Sequence, residues 1–445
     1  MAGRQLGASF SEETWEVLLK VLLGITDSLL REQPRSLTLN TEHSKMSESL
    51  CEHLLRVLFE LWLRSNTRNV DMWNILQRCF NGWTHRLPVL HQWAASSLGL
   101  CQRVVRLLYG PGQGTEVVNL SVGGYNVGLD LPADFTLYAW HRVVYLLNGP
   151  ARLSSPNCLA AVNGIGRMVE TFLNIGYAGN HSIMPGSPPL PSSPTDICSP
   201  SSPNHPNSPN IFKSSTMAGG ATSASGKPTA PDGNTIMHMF GAWLFEVTAL
   251  PTVDPATTMY TSHWQSANSY PVDGYNDAQA SAFGVLCRIF SKPQPSSRPF
   301  LRIYTERFYD ALSIGLRCET SLPTILTHSA ELFTSELEGV RMMVPDFVIG
   351  IRMAMSGHIR FAANLEKQKM ALEDLHLAAL KVAGCIMCLP NHFDQVELKE
   401  GWNQGLSKSA STALDGRGGR EGEEVLAHLV RQNIHSPSNG RYHNA

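Results

Sequence analysis

Apolar residues recur at three- and four-residue spacing along nearly all of this 445-residue chain, and one long stretch breaks the rhythm. Such spacing gathers side chains on one face of a helix, where a half-buried strand would show strict alternation. Trp15, Leu18, Leu19, Leu22, Leu23 and Ile25 form a first stripe. Ser11 stands before it as an N-cap, and Glu12 and Glu13 complement the helix dipole. Leu50, Leu54, Leu55, Leu58, Leu61 and Trp62 form a second stripe, and Met72, Trp73, Leu76, Cys79, Phe80 and Trp83 a third. A fourth helix starts near Pro88 and runs through Trp93, Leu100, Val104, Val105 and Leu108 to a stop at "YGPGQG". Residues 135–147 and 158–175 give two more helices. Between the fourth helix and these two, "TEVVNLSVGGYNVGLDL" reads either as a hairpin or as a long glycine-bearing loop.

Residues 180–234 are different in kind, being nearly all Pro, Ser, Gly, Asn, Thr and Ala. They offer too little apolar surface to offset roughly 1–2 kcal/mol per residue of backbone ordering, so disorder is predicted. A flexible chain of this length spans roughly 40 Å. Helical spacing resumes with Met237, Phe240, Trp243, Leu244, Val247 and Leu250, then over 283–290, 300–316, 321–333, 337–355 and 370–389. From about residue 400 the chain is polar and glycine-rich, apart from an amphipathic piece at 425–430. The expected organisation is a helical block at 1–179, a disordered linker at 180–234, a second helical block at 235–399 and a disordered tail at 400–445. Successive helices joined by short turns, with Trp and Leu on the inner faces, predict an all-α fold. Its expected form is an irregular HEAT/armadillo-like helical solenoid in two blocks. No strict repeat period is visible, as HEAT-like irregularity allows.

The bulk numbers narrow the function. Net charge is −2, so there is no basic excess to neutralise a phosphate backbone, and nucleic-acid binding is disfavoured. The nine cysteines are odd in number and dispersed among apolar residues, unlike a secreted disulfide framework. The N-terminus lacks the apolar core of a signal peptide and no stretch suits a membrane span. A reducing, cytoplasmic setting is expected.

Fragments of chemistry occur, and none is complete. Cys385-x-x-Cys388, with His392 beyond, supplies one ligand pair where zinc needs four ligands, and it closes a helix where a redox pair would open one. Packing at a helix end is the expected role, with Leu375, Leu377, Leu380, Val382, Ile386 and Leu389 setting the stripe. "SGKPT" at 225–229 lacks the glycine spacing of a phosphate loop, and "GPGQGT" at 110–115 follows a helix where a nucleotide fingerprint follows a strand. Sixteen histidines include no H-E-x-x-H, and no G-x-S-x-G elbow occurs. His328 and Glu331, like Glu52 and His53, read as solvated or core-edge groups. No catalytic residue, cofactor or metal is assigned. The one usable signal lies in residues 180–234, where Ser187, Ser193, Ser199, Ser202 and Ser208 each precede proline. These are candidate phosphorylation sites, each adding about −1.5 to −2 charge. "PPLP" at 188–191 suits polyproline recognition, and a plain tether is the alternative for the segment.

Several stretches together resemble the β subunit of Ral GTPase-activating protein complexes. They are "ETWEVLLKVLLGITDSLL", "LLRVLFELWLRS" and "QWAASSLGLCQRVVRLLYGP", then, past the proline-rich insert, "FGAWLFE", "FGVLCRIF", "ERFYDALSIGL" and "LPNHF". The resemblance implies the N-terminal helical region of a non-catalytic subunit. That subunit would pair with a catalytic α subunit to accelerate GTP hydrolysis on Ral-type small GTPases, as in tuberin–hamartin-type activators. In that family an asparagine of a C-terminal GAP domain on the α subunit does the chemistry, and no residue here matches its motif. The expectation is a regulatory or scaffold subunit. A truncated competitor or general interaction scaffold is the alternative, with an independent enzyme behind both.

Overall fold

The computed structural model describes residues 10–31, 41–109, 117–122, 124–174, 231–251, 274–294, 298–356, 365–366 and 368–389. Twelve α-helices and one two-stranded hairpin form the regular structure among them, so the chain is all-α as its periodicity predicts. The first helices are α1 (Glu12–Leu30), α2 (Thr41–Arg64), α3 (Val70–Trp83) and α4 (Leu87–Tyr109). The hairpin β1 (Val117–Val122) and β2 (Tyr125–Asp130) follows, then α5 (Ala133–Val144) and α6 (Ser155–Leu173). After the undescribed stretch come α7 (Gly233–Thr248), α8 (Asn276–Ser291), α9 (Arg302–Gly315), α10 (Leu322–His328), α11 (Val344–Met355) and α12 (Leu372–Met387). Most of the expected linker and all of the expected tail lie outside the described residues.

Local chemistry places the ends. Ser11 caps α1 as its position predicts, its Oγ accepting from the Thr14 N–H at 3.3 Å. Asn69 caps α3, its Oδ1 accepting from Asp71 and Met72 at 3.0 and 3.3 Å. Pro345 stands in the first turn of α11, where a missing N–H costs nothing. The expected run at 337–355 therefore divides into a 3-10 turn, Val340–Met343, and α11. Likewise 321–333 divides, because α10 stops at His328 and its C-cap Ser329 donates its Oγ–H to the Ile325 carbonyl, before a second 3-10 turn at Ala330–Phe333.

The helices alternate between two layers. Each even-numbered helix packs on the next, so that α2, α4, α6, α8, α10 and α12 form a continuous spine. The odd-numbered helices cover it: α1 lies on α2 and α3, α5 on α4, α7 on α8 and α9, and α11 on α12. This is the stacking of an irregular helical solenoid, in which each unit buries its apolar face only against neighbours. One hydrophobic core runs from Leu19 to Val382. Close approach along the spine is set by small residues. A Cβ on Gly166 of α6 would meet Val285 of α8 at 3.0 Å, and one on Gly284 of α8 would meet Thr324 of α10 at 2.8 Å.

Helices before and after residues 175–230 belong to the same stack. The Tyr145 hydroxyl donates to the Met239 carbonyl at 3.3 Å and its ring packs edge-on against Trp243. The Tyr275 hydroxyl donates to the Leu153 carbonyl at 2.8 Å, Ser281 donates to Asn163 at 2.7 Å, and Arg288 of α8 pairs with Glu170 of α6.

The ambiguous segment after α4 is a hairpin. Its antiparallel register runs from Val117↔Asp130 to Val122↔Tyr125, and Gly124 takes a φ of +79° in the turn. Val118, Leu120 and Leu129 point inward and are buried. Gly99 of α4 admits the β1 backbone: a Cβ there would fall 2.4 Å from the Asn119 carbonyl oxygen.

Candidate functional site

The most concentrated buried polar chemistry lies where α2, α4 and the hairpin meet. Glu60 and Gln92 are both 2% exposed. Glu60 accepts from Arg64 Nε one turn on at 3.1 Å. Gln92 Nε2 donates to Ser96 Oγ at 3.0 Å within α4. Arg56 lies over the Tyr125 ring, 4.5 Å from its centre, tying α2 to β2. Arg56 Nε and Gln92 Oε1 are buried and have no hydrogen-bond partner among the described residues. The void between these groups, lined also by Leu120 and Val127, measures about 10 Å³, room for a single water. The arrangement suits a polar lock that fixes the hairpin's seat on the stack. Sequence reasoning missed it, although a glutamate inside "LFELWL" and a glutamine inside "LHQWAASSL" were a signal.

Aromatic N–H groups make further ties between layers. Trp93 Nε1 donates to the Val143 and Val144 carbonyls at 2.9 and 3.2 Å. These are end carbonyls of α5, which explains why that helix stops at Val144 rather than at residue 147. Trp83 Nε1 donates to Asp27 Oδ1 at 3.0 Å, Asn81 Nδ2 to the Leu146 carbonyl at 2.9 Å, and Asn157 Nδ2 to the Thr84 carbonyl at 2.7 Å.

The C-x2-C pair divides. Cys385 on α12 is half-buried against the core, and burial raises its thiol pKa, opposite to a reactive thiolate. Cys388, the C-cap, is exposed, so the packing role holds for only the first of the two. His392 lies outside the described residues. The α12 stripe is also narrower than its sequence suggests: Leu375 and Val382 are buried, while Leu377 and Leu380 face solvent. A helix apolar on both faces gives no sign from sequence of which face its neighbours take.

His328 lies half-buried at the end of α10, and burial with the nearby Arg288 charge pushes its pKa down to about 4. It is a core-edge group, as its surroundings in the sequence suggest, and Glu331 is exposed. Cys101, Cys158 and Cys287 are buried, their thiols pushed up to about 12. Among the described residues no three His, Cys, Asp or Glu side chains converge as metal ligands, and no helix is long and apolar enough to cross a membrane. Ser187, Ser193, Ser199, Ser202 and Ser208 lie outside the described residues, as do both glycine-rich fragments.

A two-layered stack of alternating helices with polar locks between them defines the class of extended helical-repeat proteins, whose working surfaces are their faces and ends. Residues 1–111 match the family model described as the RALGAPB N-terminal domain. The human Ral GTPase-activating protein subunit beta is 24% identical over 514 residues, covering 91% of this chain and 33% of that protein. A Rap-GAP domain-containing protein of Dictyostelium discoideum is 26% identical over 392 residues, covering 87% of this chain and 18% of its own length. The mouse Ral GTPase-activating protein subunit alpha-2 is 24% identical over 168 residues, covering 36% of this chain and 7% of its own. The resemblance to the N-terminal helical region of Ral GTPase-activating protein β subunits is thus borne out over most of the chain. The chain spans one third or less of the length of these relatives. No solved structure matches.

Proposed function

We propose that this chain is a non-catalytic scaffold subunit of a GTPase-activating complex, holding a separate catalytic α subunit that acts on a Ral-type small GTPase. The observation that carries the reading is the match to β subunits over 91% of the chain, anchored by the N-terminal domain model. The alternating helical stack supports it, because such stacks expose long faces suited to a large partner. The five Ser-Pro sites, Ser187, Ser193, Ser199, Ser202 and Ser208, belong to this reading as phosphorylation points that tune assembly. So does the division at 180–234 and 400–445, with docking assigned to the helical parts. A cytoplasmic setting fits the free, buried thiols.

The test is co-purification with a Ral GTPase-activating protein α subunit, followed by GTP hydrolysis on a Ral GTPase with and without this chain. Association with faster hydrolysis is expected. Failure to associate at micromolar concentration overturns the proposal. Association that lowers the activity of an intact complex would instead make the chain a competitor.

A further inference from the structure

Cys385 and Cys388 stand one helical turn apart at the end of α12, and no other two cysteines of the chain lie within a turn of each other in sequence. Cys388 is exposed and Cys385 half-buried, whereas Cys51, Cys79, Cys101, Cys158 and Cys287 are buried. Three residues along an α-helix place two Cα atoms about 5 Å apart, inside the roughly 4.4–6.8 Å that a disulfide spans. The Cβ atoms are the obstacle. On a regular helix they stand about 5–6 Å apart, and a disulfide takes roughly 3.5–4.5 Å. A 3-10 turn removes the obstacle, because side chains three residues apart eclipse there.

The end of α12 is already partly tightened in that sense. Leu389 N–H donates to the carbonyl of Ile386, three residues back, at 3.1 Å. Cys388 N–H donates four residues back, to Gly384, at 3.1 Å. Moving that bond to the Cys385 carbonyl extends the 3-10 turn by one residue. Gly384 lets the backbone adjust, and nothing among the described residues stands within 4 Å of its Cβ position. Pro390 follows in the sequence without an N–H to carry the helix on, so the change stays in the last turn.

We propose that Cys385 and Cys388 form a reversible disulfide by exchange with a small-molecule disulfide of the glutathione type, stapling the last turn of α12. The Cys388 thiolate attacks one sulfur of glutathione disulfide and expels the other half as a thiolate. Cys385, deprotonated in turn, attacks Cys388 Sγ and expels the second glutathione thiolate. The two protein thiols thereby lose two protons and two electrons, and one glutathione disulfide becomes two glutathione thiols. Position sets the order of attack. Cys388 is the thiol open to solvent, while burial, with Cys388 and Glu331 nearby, raises the Cys385 thiol. Cys385 acts second, where its target is held one turn away. The bond holds the turn away from regular helix, which favours ready reduction. The inference needs neither a partner subunit nor the complex proposed above.

The full chain is equilibrated with glutathione and glutathione disulfide, acid-quenched, alkylated and digested with trypsin, which leaves both thiols in one peptide, 382–399. The expected product is that peptide unalkylated and lighter by two hydrogens. Its oxidised-to-reduced ratio should fall about a hundredfold when glutathione rises about tenfold at fixed glutathione disulfide, because two glutathiones are released per bond. Cys388→Ser, at an exposed position, should abolish the product. Cys385→Ser should leave a glutathione adduct on Cys388, whose ratio falls only about tenfold in the same titration. Cys318→Ser should change nothing. A peptide that stays reduced even in glutathione disulfide alone overturns the inference. So does a glutathione adduct on Cys388 as the end product in the unaltered chain, a bond from Cys388 to any other cysteine, or loss of the product in Cys318→Ser.

Discussion

Gly164 of α6 lies so close to α4 that a Cβ added to it would fall 2.7 Å from the Cβ of Ala94 and 3.3 Å from Trp93 Cζ3. The two helices meet at their smallest residues, and the backbone of each fills what a side chain would occupy. Gly164→Leu must therefore push α6 away from α4. It should destabilise the fold by about 1–3 kcal/mol or more, read as a lowered urea midpoint at unchanged slope. Gly82→Ala, where nothing among the described residues stands within 4 Å, is the control and should be neutral or slightly stabilising.

Trp93 tests the tie between α4 and α5. Its indole N–H is buried and serves two carbonyls, so Trp93→Phe leaves both without that donor while keeping an aromatic body. The expected loss is about 1–3 kcal/mol. Hydrogen exchange should rise first at the C-terminal turn of α5.

His328 gives a pH dependence. Its folded pKa, about 4, lies below the unfolded value near 6.5, so the unfolded chain binds the extra proton between those limits. The neutral imidazole's contribution is present above pH 6.5 and is lost as pH falls toward 4. Stability should thus decline from pH 7 to pH 4.5, and His328→Gln should flatten that decline. Equal pH slopes in urea titrations of the two proteins would refute the assignment.

Thiol accessibility should sort the cysteines by burial. Cys388 is exposed and should react with a maleimide in the native state. Cys101, Cys158 and Cys287, buried and with thiols pushed up to about 12, should react only on unfolding. Peptide mapping after a short labelling pulse distinguishes the classes, and native labelling of Cys287 would contradict the packing of α8.

Much of the fold was legible because helical burial leaves a periodic trace. All six residues assigned to the inner face of α3, from Met72 to Trp83, are buried, and Ser11 caps α1 as read. Where apolar residues occupy both faces the trace is ambiguous. Ile25 and Leu50 joined their stripes by spacing and yet face solvent, as do Leu377 and Leu380. The hairpin was undecidable locally, since paired glycines serve a turn and a loop alike. What settles it is contact at a distance, with Gly99 making room for the β1 backbone. The polar lock of Arg56, Glu60, Gln92 and Tyr125 was illegible for the same reason, its members being brought together from α2, α4 and β2.

The amino-acid sequence by itself determined the helices, their caps and the all-α class, because these follow from interactions within a few residues of each other. The tertiary structure decided which helix lies on which: the even-numbered spine, and the union of helices on either side of residues 175–230. Those choices depend on shape and on hydrogen bonds between residues far apart in the chain. Local periodicity tells that a face is apolar, and only packing tells what covers it.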